Sequence, residues 1–147
     1  MRWRFVDRVT DVEPWKRAIV RKAISLEEYS LLKPFGRKGE FPESLVLECC
    51  VEAVRWLVAA SSEFTQTCVL GEVSEFRFQR IVGMGDRLEI APTVRERGEK
   101  EMRIECRVMC SGTEAARGQI SVVLSPLSES FDADWIKGNW REIYGAA

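Results

Sequence analysis

The chain has 147 residues, 46% of them hydrophobic and 31% charged, with a formal net charge of −1. These proportions fit one globular domain able to bury about two thirds of its unfolded surface. They offer no positive field for nucleic acid or an anionic membrane. Glu48, Glu52 and Arg55 interrupt the longest apolar run, so no bilayer span is expected.

"MRWRFVDRV" has no secretory apolar core, which makes the cytoplasm the expected location. The five cysteines are then expected as reduced, buried thiols. With no histidine and no CxxC pair, the usual zinc sites are excluded, and neither metal nor resident cofactor is expected. The commonest general base near neutral pH is missing as well.

In chain order, Phe5 to Val12 and Ala18 to Ile24 alternate as two strands, with Glu13-Pro14-Trp15-Lys16 turning between them. Leu26 to Lys38 reads as an irregular connection or a short helical turn. Pro42 to about Ser62 is the one long helix, opened by a proline that a helix N-terminus tolerates. Its polar residues Ser44, Glu48, Glu52 and Arg55 recur at intervals of four, four and three, which lines them up as one narrow stripe. The rest is apolar, so this helix is expected at the centre of the fold with one edge kept polar.

Alternation then returns. Phe76 and Phe78 share a face, "GMGD" (Gly83 to Asp86) makes a turn, and Leu88, Ile90 and Val94 follow. Met102, Ile104, Cys106, Val108 and Cys110 alternate with Glu101, Arg103, Glu105 and Arg107; Ile120, Val122 and Leu124 close the run. Three or four antiparallel strands with one dry face are predicted. The tail from Ser128, with Trp135, Trp140 and Tyr144, reads as a short docked helix. The expected organisation is one α+β domain over residues 1–127 plus a tail over 128–147. A long helix wrapped by a curved antiparallel sheet is the hot-dog arrangement.

Four segments in order also resemble the FabA/FabZ-type 3-hydroxyacyl-acyl-carrier-protein dehydratases. "FVDRVTDVEPWKR" resembles the family's opening, and "GEFP" (Gly39 to Pro42) falls where the family has Gly-His-Phe-Pro. "LECCVEA" is similar to the segment with the helix carboxylate, and "FRFQRIVGMGDRLEI" to a strand-turn-strand of the family.

The resemblance implies acyl thioesters on a phosphopantetheine arm, of acyl carrier protein or coenzyme A, handled at a dimer interface. There a histidine takes the α-proton, and a helix carboxyl on the other chain protonates the departing hydroxyl. Glu48 matches that carboxyl, Glu52 the glutamine one turn later, and Gly71 a glycine at the site's mouth, with Phe41 beside the lost histidine position. That histidine is Glu40 here, and a glutamate is intrinsically a weaker base than an imidazole. Only Phe41 to Leu47 separate Glu40 from Glu48, a connection shorter than the family's and without the loop whose amide would polarise the carbonyl.

Glu40 and Glu48 are therefore the candidate catalytic residues, with Glu52, Gly71 and Phe41 as candidate substrate contacts. For Glu48 the bland alternative is an ion pair with Arg55 or a strand arginine, or a place in a solvated groove. For Glu40 it is a solvated loop charge. Three readings stay open. One is a degenerate dehydratase-like subunit, in a homodimer or paired with a competent paralogue. Another is a thioesterase using Glu48, and the third is a structural module. The basic stretch Lys33 to Gly39 is a candidate contact for an acidic carrier protein.

Overall fold

The computed structural model describes residues 4–25 and 40–145. The connection expected over Leu26 to Lys38, and with it the basic stretch, lies outside the described residues. Strand β1 (Arg8–Glu13) turns into β2 (Arg17–Ala23), followed by helix α1 (Glu43–Ser61). Four further strands are β3 (Gln66–Phe78), β4 (Arg87–Arg97), β5 (Glu101–Cys110) and β6 (Thr113–Pro126). A 3-10 turn (Leu127–Glu129) then leads to helix α2 (Ala133–Ile143).

All six strands form one antiparallel sheet in the order β1-β2-β4-β5-β6-β3. Alternation dictates its faces, as β5 makes plain: Met102, Ile104, Cys106, Val108 and Cys110 are buried, while Arg103 and Arg107 are exposed. On the outer face ion pairs run across neighbouring strands, Arg95 to Glu105 at 3.0 Å and Arg107 to Glu114 at 3.0 Å. Such exposed pairs favour register and hydration more than stability. A hydrogen bond from Gln79, with the charges of Arg117 and Arg107, holds the Glu114 carboxyl below the usual carboxylate range.

Helix α1 lies against the inner face, touching β1, β2, β3 and β4. Val46, Cys49, Cys50, Val51, Ala53, Val54 and Val58 join the core under Val20, Ile90, Ile104 and Val122. All five cysteines are buried and unbridged, as expected. Pro42 is the N-cap, its carbonyl accepting from the Val46 amide at 3.1 Å, and Glu43 complements the helix dipole. The "GMGD" turn is also as read: Asp86 N–H donates to the Gly83 carbonyl at 3.0 Å, and Gly85 takes a φ of 91°.

The two sheet edges are treated differently. At β1, Val9 bridges Tyr144, and the Gly145 amide donates to the Val9 carbonyl at 3.2 Å, so the chain's own C-terminal segment covers that edge. Trp140 anchors this segment, stacking on Tyr144 at 4.5 Å and meeting Trp56 at 5.7 Å. At β3 no described residue pairs along the outer side. Val69, Leu70 and Val73 are 51%, 37% and 37% exposed there.

Candidate functional site

The helix stripe is the place to build from, because it is where α1 carries groups able to move protons. Ser44 and Glu48 are exposed. Glu48 has no hydrogen bond or ion pair among the described residues. The alternative of a Glu48–Arg55 pair is overturned. Seven residues put them about 10 Å apart along the axis, and Arg55 is engaged closer by. Its Nη1 lies 3.3 Å from Glu52 Oε2, and its Nε donates to the Cys68 carbonyl at 3.3 Å. The stripe thus splits into an open half, Ser44 and Glu48, and a half-buried half, Glu52 and Arg55. Beneath the second half, burial pushes the Cys68 thiol up to about 12, against the opposing pull of Arg55.

The other expected site residues fall on different elements. Glu40 is half-buried and bridges Gly83, so it stands beside the 83–86 turn at the start of α1. Phe41 is 3% exposed and belongs to the hydrophobic core, its amide donating to the Val82 carbonyl at 2.8 Å. It anchors the start of the helix. Gly71 sits exposed on β3 at a bulge between Leu70 and Glu72, where an added Cβ would lie 3.3 Å from the Ser121 carbonyl oxygen. Glu48 and Glu52 share one helix face, Glu40 lies at the helix start, and Gly71 lies on the open sheet edge. Among the described residues no cluster of three metal-ligating side chains occurs, and no helix is long and apolar enough to cross a membrane.

A cavity of about 350 Å³ lies beside the second half of the stripe. Glu52, Arg55, Trp56 and Ala59 of α1 form one wall, and Leu127, Phe131, Trp135 and Ile136 close it from the C-terminal side. Phe5 and Val6 complete it from the N-terminal segment. That segment is held by the buried Lys22, whose ammonium donates to the Arg4 carbonyl. Sequence reasoning missed this cavity, since its walls come from four separated stretches. The available signal was the spacing of Phe131, Trp135 and Ile136 in the C-terminal tail.

Comparison with known proteins agrees with this architecture. The family model of the thioesterase superfamily matches residues 50–116. A FabZ 3-hydroxyacyl-acyl-carrier-protein dehydratase of Lactiplantibacillus plantarum is 23% identical over 121 residues, covering 82% of each chain. The Cereibacter sphaeroides FabZ is 29% identical over 123 residues, covering 81% of this chain and 79% of that one. Among solved structures, a hot-dog-like protein of Thermanaerovibrio acidaminovorans superposes with a TM-score of 0.66 at 12% identity, covering 92% of this chain and 96% of that one. A Streptococcus mutans protein bound to acetyl CoA gives a TM-score of 0.66 at 15% identity over 81% of this chain and 88% of that one. The chain has the hot-dog fold and is similar, at low identity, to the FabZ-type dehydratases.

Proposed function

We propose that this chain is a dehydratase-like subunit of acyl-thioester metabolism that carries half of an active site. Alone it binds an acyl thioester or its carrier protein, and it becomes competent when a paralogous partner supplies the histidine. The observation that carries this reading is the exposed Glu48, unpaired among the described residues, on the polar stripe of a largely apolar helix in a chain without histidine. A carboxylate retained on an apolar helix, but without an ion pair of its own, suits a role toward another molecule.

In the completed site, the partner's imidazole takes the α-proton of a 3-hydroxyacyl thioester. Glu48 gives a proton to the C3 hydroxyl, which leaves as water as the C2–C3 double bond forms. Glu52, Gly71 and Phe41 have supporting parts. Glu52 orients Arg55 on the stripe, Gly71 lets the edge strand kink at the site's rim, and Phe41 fixes the start of α1. Glu40 stands at the histidine's place without its basicity. Pairing through the exposed edge of β3 and the open stripe would bring a second chain to Glu48.

The test is to co-express the chain with a histidine-bearing paralogue encoded beside it, and to follow hydration of a trans-2-enoyl-carrier substrate. A co-purifying pair whose activity exceeds that of either chain is expected. No association and no gain would sink the proposal. A second reading, a thioesterase in which Glu48 activates water or attacks the carbonyl, is favoured by the thioesterase-superfamily match. It predicts release of free thiol from acyl-carrier substrates by the chain alone. Background release, unchanged by Glu48→Gln, would dismiss it.

A further inference from the structure

Helix α1 presents its polar stripe in two halves, and the cavity begins where the open half ends. From Glu48 to Glu52 is one turn, about 6 Å along the axis. Glu52 is already a wall residue, followed on the same face by Arg55, Trp56 and Ala59. A ligand whose reactive end meets Glu48 has this cavity one helix turn away for its other end.

The cavity is made for an uncharged, apolar end. Trp56, Ala59, Leu127, Phe131 and Ile136 give it apolar walls. The two arginines in its wall are already neutralised, Arg55 by Glu52 and Arg4 by Glu142. Asn139 spends its side-chain amide on the Trp135 carbonyl at 3.0 Å. An anionic head would find no unpaired cation among these residues, whereas a hydrocarbon loses nothing by entering. A methylene takes up roughly the volume of one water, about 30 Å³. The 350 Å³ available thus suits a chain on the order of ten carbons.

We propose that this pocket holds the apolar tail of the acyl thioester, and that the C-terminal segment sets the length accepted. The inference rests on the acyl-thioester reading above and adds the substrate's chain class. The roof belongs to the C-terminal segment, beyond residue 116 where the thioesterase-superfamily match ends. Its rim residues Phe131 and Trp135 are 43% and 57% exposed, and Trp140 ties the segment to Trp56 and Tyr144.

The experiment is calorimetric titration of the full chain with saturated S-acyl-pantetheines of about four to about sixteen carbons. Affinity should rise about fourfold per added methylene until about ten carbons, then level off. Ile136→Trp, whose larger ring takes up part of the cavity, should move that break about two carbons shorter and leave the shortest ligand unaffected. The double variant Phe131→Ala/Trp135→Ala should weaken the longer chains about tenfold or more and leave the short ones alone, with a thermal melt confirming that both variants fold. A profile flat with length, or an Ile136→Trp profile superimposable on the parent, overturns the proposal. Flat binding together with Glu48-dependent turnover in the paired assay would remove the pocket and keep the proposed function. A length-dependent profile with turnover indifferent to Glu48→Gln would do the reverse.

Discussion

At the residue scale, Glu48 shows why an apolar neighbourhood in sequence is a poor guide to burial. Its neighbours Cys49 and Cys50 are fully buried, yet the carboxylate is exposed because the helix turns this stripe away from its own sheet. The periodicity placed Glu48 on the stripe. Which way the stripe faces depends on packing that no local pattern encodes.

Gly118 carries a different constraint: a Cβ there would lie 2.4 Å from the Cα of Phe76. Gly118→Ala should therefore destabilise by about 1–3 kcal/mol, measured by chemical denaturation. An unchanged midpoint would refute that packing. The thiols make a second test. A hydrogen bond with Cys106 and burial hold Cys50 well above the usual thiol range, and burial lifts Cys68 to about 12. At pH 8 Cys68 is therefore held as the unreactive thiol. Thiol reagents should find no fast-reacting cysteine in the native chain and five after denaturation. A rapid native reaction would contradict the burial described.

Among the elements, α1 and β5 were the most legible, because a nineteen-residue helix and a clean two-residue alternation leave little room for another assignment. Strand β3 was the least. From Val69 to Glu75 every residue is exposed, and two register shifts break the pairing with β6, one of them beside Glu75 with its φ of 53°. A strand with solvent on both faces has no alternation to read. The same exposure makes the edge the expected interface. If the proposed pairing uses this edge, Val69→Lys with Val73→Lys should reduce the mass of the co-expressed pair in light scattering to that of the separate chains, since charge on an apolar edge opposes pairing. A dimer that survives both changes would place the interface elsewhere.

For the whole molecule, the hot-dog architecture could be read in the sequence because each strand that builds the dry face keeps its period. The site was legible only in part. Glu48 and Glu52 follow from helical spacing, but the cavity needs the N-terminal segment, α1, the start of β3 and the C-terminal helix together. Contacts that distant leave no local signature. What emerges is a fold that covers one sheet edge with its own tail, leaves the other unpaired among the described residues, and carries an exposed carboxylate on its helix stripe. The account stands or falls on whether that carboxylate works in company. The deciding measurement is the rate of trans-2-enoyl-carrier hydration by the chain mixed with a histidine-bearing FabZ-type dehydratase chain, using parent and Glu48→Gln protein. The account predicts negligible hydration by the chain alone, clear hydration by the mixture, and a fall of about a hundredfold or more on Glu48→Gln. Full activity of the chain alone, or a mixture indifferent to Glu48→Gln, would contradict it.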